Sequence, residues 1–166
     1  MTTIDSYFFS DPGQKRANNE DAAGAFEPKS ARQLKQSGCL YIVADGLGGH
    51  QMGEQASGDI VDALLRIYYK EAPEVPPEKR LRAIIQQVNQ NLIVARKDLA
   101  SGEKMATTVV AAVVRNDTLL LANVGDSRAY FLRDDKIVQL THDHSFVGEM
   151  MRAGALFFSR GSNSCV

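Results

Sequence analysis

Two long segments with helical spacing of apolar residues follow one another in the middle of this 166-residue chain, and they constrain its fold more than any other feature. The first predicts a helix from about Gly53 to Tyr69, and the second predicts a helix from about Glu78 to Leu99. Three prolines between residues 72 and 77 interrupt the pattern, because proline removes a backbone donor and cannot continue a helix. The two helices are therefore expected to be separate, each with one apolar side.

Short strand patterns surround this helical pair, and most of them lie on its C-terminal side. Some are joined by turn residues of the hairpin type, as expected for antiparallel neighbours. The predicted hairpins are Thr107–Arg115 with Thr118–Val124 around Asn116-Asp117, and Ala129–Arg133 with Lys136–Leu140 around Asp134-Asp135. Earlier strands are predicted at Thr3–Phe9 and Leu40–Ala44, and a further helix at Ser145–Ala153. Because helices are grouped and hairpins are grouped, this order predicts an α+β layered fold and not an alternating βαβ sheet.

The composition is that of a single-domain protein and gives no sign of a partner held by bulk charge. The formal net charge is -1, so neither nucleic acid nor a membrane surface is an expected partner. The N-terminus lacks the basic start and apolar run of a signal peptide, and no apolar stretch is long enough to span a bilayer. The cysteines Cys39 and Cys165 form no CxxC pair, which favours a reducing compartment. We therefore expect a cytoplasmic protein.

An acidic, glycine-rich turn, Asp45-Gly46-Leu47-Gly48-Gly49-His50, follows the predicted strand Leu40–Ala44. It is not a phosphate-binding P-loop, because no Gly-Lys-Ser/Thr follows its glycines, and Gln51 stands where a dinucleotide fingerprint needs glycine. The alternating acidic positions of an EF-hand are also missing. Two interpretations remain: a tight structural turn, or a site where one carboxylate and nearby carbonyls hold a hard cation such as Mg²⁺ or Mn²⁺.

A second acidic segment, Arg16-Ala17-Asn18-Asn19-Glu20-Asp21, places one guanidinium before two adjacent carboxylates. In extended backbone, neighbouring side chains point to opposite faces, so Glu20 and Asp21 are predicted to have different roles. Arg16 offers a planar fork of donors that suits the oxygens of a phosphate. Taken alone, the segment is more typical of a solvated charged loop than of a functional site.

A third acidic turn, Val124-Gly125-Asp126-Ser127-Arg128, again places a carboxylate after an apolar strand and a glycine. The hydroxyls of Thr107 and Thr108 could bind a nearby carboxylate or water, although threonine in a strand usually just fits the pleat. The segment His142-Asp143-His144 does not have the spacing of a structural zinc site, and the two cysteines do not complete one. Asp143 is expected instead to brace its turn by hydrogen bonds.

Taken in order, these motifs resemble those of the type 2C metal-dependent protein phosphatases (the PPM family), and in particular the bacterial-type serine/threonine phosphatases. The similarity runs from about residue 10 to residue 154, and the ordered set of motifs makes it specific. The matching motifs are Arg16-Ala17-Asn18-Asn19-Glu20-Asp21, Ala44-Asp45-Gly46-Leu47-Gly48-Gly49-His50, Thr107-Thr108, Gly125-Asp126-Ser127-Arg128-Ala129-Tyr130 and Leu140-Thr141-His142-Asp143-His144-Ser145.

The resemblance implies a four-layer α-β-β-α sandwich with a metal site at one end of its two sheets. It also implies a centre of two Mn²⁺ or Mg²⁺ ions, with a third held more weakly, and hydrolysis of phosphoserine or phosphothreonine by a metal-activated water. By position, Asp45 resembles the carboxylate that bridges the two metals, and the Gly46 carbonyl resembles a ligand of one of them. Asp21 would bind metal or orient its water, and Asp126 resembles the ligand of the third metal.

Two further residues take catalytic roles by the same resemblance. Arg16 would hold the phosphate of the substrate, and Glu20 would support the metal ligands from behind. The implied partners are phosphorylated protein substrates and an opposing serine/threonine kinase. No nucleophilic cysteine is needed for such a reaction, so Cys39 is expected to be a buried, small apolar residue.

The sequence departs from the family pattern in two places. Ala106 stands where the family usually has glycine before its threonine pair. The similarity also stops after Gly154, before the later aspartates of the family's metal site, so residues 1–154 are expected to be the N-terminal part of a phosphatase domain and residues 155–166 a non-matching tail. A truncated product, a frame-shifted product and a fragment would all be incomplete at the C-terminus in this way. A domain that lacks these aspartates is expected to show little turnover. The alternative function is that of a catalytically impaired fragment that binds only metal or a partner protein.

Overall fold

The computed structural model describes residues 4–14, 18–48, 51–70, 74–99 and 105–144. The helices in these ranges are α1 (Ala31–Ser37), α2 (Gln51–Ile67) and α3 (Pro77–Ala95), and α3 continues into a 3-10 turn at Arg96–Asp98. The strands are β1 (Asp21–Phe26), β2 (Cys39–Leu47), β3 (Ala106–Thr107), β4 (Val109–Arg115), β5 (Thr118–Val124), β6 (Tyr130–Arg133) and β7 (Lys136–Gln139).

The main sheet is antiparallel, with the strand order β1-β2-β4-β5. The long strand β2 is central, because β1 pairs along one of its edges and β4 along the other. The short strand β3 pairs with the end of β2 at Gly46 and Leu47. Strands β6 and β7 form a separate two-stranded sheet. The α+β class predicted from the order of elements is confirmed.

Helices α2 and α3 cover one face of the main sheet, and the apolar core lies between helices and sheet. Residues alternate along β2, as the pleat requires: Leu40 and Ile42 are buried in this core, whereas Val43 on the other face is 52% exposed. The core consists of Leu40, Ile42, Ala44, Ile60, Val61, Ala63, Leu64, Tyr68, Leu81, Ile84, Val88, Val109, Ala111 and Val113. Because β2 runs out of this core, its last residues are held firmly where the acidic turn begins.

A buried arginine joins the three helices near the start of β2. Arg80, in the first turn of α3, is 1% exposed, and its guanidinium lies over the ring of Tyr68 at 5.1 Å. Its Nε donates to the carbonyl oxygen of Val75 at 2.7 Å, and its Nη1 donates to the hydroxyl oxygen of Ser37 at 2.9 Å. A buried cation is costly unless it finds such partners, so these bonds fix the helical layer as well as satisfying the charge.

The strand predicted at Thr3–Phe9 is wrong. Residues 4–10 form no strand, and Tyr7 in this segment is 89% exposed. Its aromatic residues suit a pleated surface, but a strand also needs a neighbour for its backbone groups, and none of the strands in the described ranges pairs with this segment. The first strand is β1, whose alanines and glycine carry little strand propensity. It forms because it pairs with β2 from Asp21 to Phe26.

Both predicted long helices are confirmed, with ends shifted by a few residues. The first begins at Gln51, slightly before the predicted Gly53. The second ends at Ala95, where the 3-10 turn replaces the α-helix before the predicted end at Leu99. The short helix α1 lacks an extended apolar pattern and was missed, although Ser30 gives the expected cap signal by accepting a hydrogen bond from Gln33 N.

Both predicted hairpins are confirmed. Asn116 in the first turn and both Asp134 and Asp135 in the second adopt positive φ, the backbone conformation that tight hairpin turns demand. Cys39 is buried, as expected. The helix predicted at Ser145–Ala153 and the tail 155–166 lie outside the described residues. Among the helices that are described, none is long and apolar enough to cross a lipid bilayer.

Candidate metal centre

Asp21 and Asp45 stand directly opposite each other on the neighbouring strands β1 and β2. The N–H of Asp45 donates to the hydroxyl of Thr108, and its carbonyl accepts from Thr108 N, so Asp45 makes its backbone bonds on the side away from Asp21. The two aspartates therefore form a non-hydrogen-bonded pair, in which Cα atoms are about 4.5 Å apart and the side chains are close. Both residues are exposed on the sheet face that the helices leave open.

Two like charges in this position repel each other, and a cation between them removes the repulsion. Their oxygen atoms are the ligands that Mg²⁺ and Mn²⁺ prefer, so the donor chemistry fits a divalent metal. Within the described ranges, no group of three or more acidic, histidine or cysteine side chains is close enough to hold an ion. The pair is therefore the part of the predicted ligand set that the structure brings together.

Glu20 lies on the opposite side of β1 from Asp21, as the predicted alternation requires. A Cβ added at Gly53, in the first turn of α2, would be 2.8 Å from Glu20 Oε2, so this carboxylate lies against the start of that helix. A negative charge is stabilised there by the free backbone donors of the first turn. The Glu20 carbonyl also accepts from Gly46 N at 3.0 Å and from the Ser57 hydroxyl at 2.7 Å. Glu20 thus ties β1 to both the glycine turn and α2.

Gly46 stands where β2 passes closest to α2. A Cβ at this position would lie 2.1 Å from the carbonyl oxygen of Gly53 and 2.6 Å from that of Glu20. No side chain fits into this space, so glycine is required by packing. The close approach also fixes the backbone immediately after Asp45, where the carbonyl of Gly46 is a predicted metal ligand.

Two threonines hold the main chain of Asp45 from the other side. The Thr107 hydroxyl donates to the Asp45 carbonyl at 3.0 Å, and Thr108 N donates to the same carbonyl at 2.9 Å. The Asp45 N–H donates to the Thr108 hydroxyl oxygen at 2.9 Å. The sequence suggested a carboxylate or a water as the partner of these hydroxyls, but both of them bond to the peptide backbone of Asp45. This contact depends on the pairing of distant segments, so no local pattern signals it.

Asp126 lies in an exposed turn that follows β5. The neighbouring Ser127 contacts the Thr108 hydroxyl, with 2.6 Å between the two oxygens. The turn also requires glycine at position 125, because φ there is 96° and an added Cβ would be 2.7 Å from Thr108 Cγ2. The third acidic turn is thus docked beside Asp45 through Thr108, but Asp126 itself does not join the Asp21–Asp45 pair in a three-residue cluster.

A strong ion pair braces the segment after this turn. Arg128 donates from Nε and Nη2 to the two carboxylate oxygens of Asp143, at 2.9 and 2.5 Å. These bonds hold the pKa of the Asp143 carboxyl below its ordinary value of 3.8. They also raise the pKa of Arg128, with a smaller contribution from Tyr130. The expected brace by Asp143 is confirmed, and its partner is Arg128, which lies 15 residues earlier in the chain.

The acidic pair opens into a cavity of about 470 Å³ on the free face of the main sheet. Asp21 and Asp45 contribute to its wall, together with residues 6–8 on one side and residues 127–129 on the other. This volume is in the range of small-molecule sites. The carboxylates are therefore accessible from a space that can admit a ligand.

The other predicted site residue, Arg16, lies outside the described residues. The histidines at 142 and 144 are exposed, and within the described ranges they belong to no cluster of metal-binding side chains. Their backbones instead support the third acidic turn, because Asn123 Nδ2 donates to the His142 carbonyl at 2.7 Å and His144 N donates to the Gly125 carbonyl at 2.9 Å.

Comparisons with known proteins match this chain to one enzyme family. A family model described as protein phosphatase 2C matches residues 14–156. The serine/threonine phosphatase stp of Listeria innocua is 39% identical over 155 residues, which cover 90% of this chain and 58% of the relative. The crystal structure of the serine/threonine phosphatase Stp1 from Staphylococcus aureus matches with a TM-score of 0.78 and 36% identity, over 93% of this chain and 59% of that chain.

A further similar structure was determined with metal bound. The catalytic domain of the serine/threonine protein phosphatase PstP, in complex with two manganese ions, matches with a TM-score of 0.68 and 32% identity. The match covers 89% of this chain and 59% of that chain. This chain therefore spans somewhat more than half the length of the relatives that it matches.

Proposed function

Because this chain belongs to the protein phosphatase 2C family, we propose that it carries part of the active site of a metal-dependent protein serine/threonine phosphatase. The observation that carries the proposal is the pairing of Asp21 with Asp45 on adjacent strands. The two exposed carboxylates lie close together on adjacent strands, at the end of a buried strand, and they offer the oxygen ligands that suit a divalent cation. The accessible cavity beside the pair gives a substrate room to approach.

The residues that would hold divalent cations are Asp21, Asp45, the carbonyl of Gly46 and, for a more weakly held ion, Asp126. Support for this assignment comes from the backbone of Asp45, which is fixed by Thr107 and Thr108, and from the close packing of Gly46 on α2. A rigid backbone lets the carboxylate meet a cation without first being ordered. Either Mn²⁺ or Mg²⁺ suits these oxygen ligands, and the two manganese ions of the PstP complex favour Mn²⁺ for a first experiment.

The reaction proposed for this site is hydrolysis of phosphoserine and phosphothreonine in proteins. Water attacks phosphorus, the bond between phosphorus and the serine or threonine oxygen breaks, and that oxygen leaves with a proton as the free hydroxyl. Bound divalent cations supply a water of lowered pKa and offset charge on the phosphoryl oxygens. In this chain, Arg16 would bind the phosphate, and Glu20 would hold β1 against the glycine turn so that Asp21 faces Asp45.

The biological setting follows from the same proposal. The relatives are named as serine/threonine phosphatases, which favours phosphorylated proteins as substrates. A serine/threonine kinase that adds the phosphate is the implied opposing partner, and the cytoplasm is the proposed location. Nucleic acid and membranes are not proposed as partners, since a net charge of -1 gives no bulk electrostatic attraction to either of them.

A hydrolysis assay with a matched control tests the function. The purified chain is incubated with an aryl phosphate and with a phosphothreonine peptide, with and without Mn²⁺, beside Asp45→Asn and Asp59→Asn variants. Asp59 is an exposed aspartate of α2, so its substitution makes the same change of charge away from the site. The proposal predicts slow Mn²⁺-dependent phosphate release, as expected for part of a ligand set, which is lost in Asp45→Asn and stays within about twofold of the wild type in Asp59→Asn.

Two other outcomes would contradict the proposal in different ways. Mn²⁺ binding that depends on Asp45 but gives no phosphate release would leave a metal-binding protein without turnover. Absence of both Mn²⁺ binding and phosphate release would show that the chain has no functional metal site, and it would favour a role in binding another protein.

A further inference from the structure

The hydrogen-bond pattern between β2 and the β3–β4 segment is irregular where Asp45 of β2 stands opposite Thr108. The pairs on either side of this point are in the same register, so no residue is inserted or skipped. Thr108 N donates to the Asp45 carbonyl at 2.9 Å, as a regular ladder requires. In a regular ladder the Asp45 N–H would donate to the Thr108 carbonyl oxygen. Here it donates instead to the Thr108 hydroxyl oxygen, at 2.9 Å. A hydroxyl thus takes the place of a backbone carbonyl at the residue that carries the candidate metal ligand.

The Thr108 hydroxyl is itself held in orientation by Ser127. Their oxygens are 2.6 Å apart, a short distance for a hydroxyl pair, and the contact is partly buried. The oxygen of Thr108 accepts from Asp45, and the same hydroxyl shares a hydrogen bond with Ser127. One side chain therefore connects the backbone of β2 with the turn that contains Asp126.

Packing reinforces this connection. Gly125 lies so close to Thr108 that an added Cβ would be 2.7 Å from its Cγ2 and 2.9 Å from its Cβ. The positive φ of 96° at Gly125 also excludes an ordinary residue there without strain. The close packing of Gly125 against Thr108 therefore couples the position of this turn to the position of the threonine side chain.

We propose that Thr108 and Ser127 are positioning residues for the metal ligand Asp45, and that they couple it to the turn carrying Asp126. This proposal rests on the proposed function, because it takes Asp45 to be a metal ligand. Thr108 acts on the main chain of Asp45, and Ser127 keeps the Thr108 hydroxyl turned towards the Asp45 N–H. Neither residue needs to touch the cation or the substrate to have this effect.

Substitutions at Thr108 separate the hydroxyl from the shape of the side chain. Thr108→Val keeps the branched shape but removes the oxygen that accepts the Asp45 N–H, whereas Thr108→Ser keeps that oxygen. Loss of a partner that orients a metal ligand typically weakens metal binding 10- to 100-fold. We expect about tenfold weaker Mn²⁺ binding for Thr108→Val, and a change within about twofold for Thr108→Ser. Ser127→Ala, which leaves Thr108 in place, should weaken binding about threefold.

Two measurements on the full chain test the proposal. Calorimetric titration gives the Mn²⁺ affinity of the wild type and of each variant. Amide hydrogen exchange followed by NMR, without metal, reports directly on the Asp45 N–H. Its exchange should be faster in Thr108→Val and near the wild-type rate in Thr108→Ser. Thr118→Val, at an exposed position of β5, controls for replacing a strand threonine with valine and should change neither quantity.

The outcomes separate this proposal from the proposed function. If Asp45→Asn binds Mn²⁺ as well as the wild type does, the metal assignment of Asp45 fails and the positioning role fails with it. If Asp45→Asn loses binding but Thr108→Val and Ser127→Ala do not weaken it, only the positioning role is overturned. Equal weakening by Thr108→Ser and Thr108→Val would also overturn it, because the hydroxyl would then not be the cause.

Discussion

Gly46 of β2 and Gly53 of α2 meet backbone to backbone, so closely that a Cβ on Gly46 would lie 2.1 Å from the Gly53 carbonyl oxygen. This contact sets the distance between the strand that ends in the acidic turn and the helix that follows it. Glycine at position 46 is therefore a requirement of packing, in addition to any part that its carbonyl plays as a ligand.

Gly46→Ala is expected to destabilise the protein by about 3 kcal/mol, because β2 and α2 must move apart to admit the methyl group. Gly58→Ala is the matched control: Gly58 lies in the middle of α2, and a Cβ there would meet nothing within 4 Å. That variant should gain up to about 1 kcal/mol from the better helix propensity of alanine. Urea unfolding followed by circular dichroism measures both values, and equal stability of the two variants would show that the close approach is not tight.

Arg80→Met should also destabilise the chain, by about 3 kcal/mol, because the carbonyl of Val75 and the hydroxyl of Ser37 lose a charged donor inside the core. Arg82→Met, on the exposed side of the same helix, makes the same chemical change without those bonds and should stay within about 0.5 kcal/mol of the wild type. Thermal unfolding compares the two variants. A similar drop in both would mean that the buried bonds of Arg80 contribute little.

The Arg128–Asp143 pair predicts a specific dependence of stability on pH. The pKa of Asp143 is lower in the folded protein than its ordinary value of 3.8, so the ionised carboxylate favours folding. Its contribution is fully present above about pH 4 and is lost as the pH falls through the lower folded value. Asp143→Asn should therefore be less stable than the wild type near neutral pH, and the difference should vanish in strong acid.

Arg128→Met should remove the same pH-dependent contribution, because the guanidinium is the main cause of the lowered pKa of Asp143. Urea titrations at a series of pH values provide the comparison. A stability difference that persists unchanged to the lowest pH would assign the effect to packing and not to this ion pair.

The sequence predicts the helical half of the fold well, because α2 and α3 carry long apolar periods that tertiary context does not override. It also predicts that Glu20 and Asp21 face opposite ways, since alternation in extended chain is a local property. The strand that carries Asp21 is harder to foresee. Its segment Asp21–Phe26 is rich in alanine and glycine, and it becomes a strand only through pairing with β2.

The hydroxyl contacts around Asp45 illustrate what sequence cannot provide. Thr108 and Asp45 are far apart along the chain, and their contact exists only once β2 has paired with β3 and β4. The Arg128–Asp143 pair is nearer in sequence, but it depends on the β6–β7 hairpin bringing the two residues together. The acidic motifs could thus be identified from sequence, whereas the groups that hold them in place could not.

The Asp21–Asp45 pair makes opposite predictions for stability with and without metal. Without divalent cations, Asp21→Asn should stabilise the protein by about 0.5 kcal/mol, because it removes one of two directly opposed like charges. With excess Mn²⁺ the order should reverse, because the wild type gains binding free energy that the variant lacks. Asp59→Asn should show no such reversal. Thermal unfolding with EDTA and with Mn²⁺ gives both comparisons. If the same protein is the more stable one under both conditions, the result counts against a cation shared by Asp21 and Asp45.

Anomalous diffraction from a crystal soaked in Mn²⁺ would show directly whether Asp21 and Asp45 hold a divalent cation. We expect an anomalous peak within coordination distance of carboxylate oxygens from both residues, about 2.0 to 2.4 Å away, which disappears in Asp45→Asn crystals. A wild-type map with no peak at this pair, or with manganese bound only elsewhere, would show that Asp21 and Asp45 do not hold the cation.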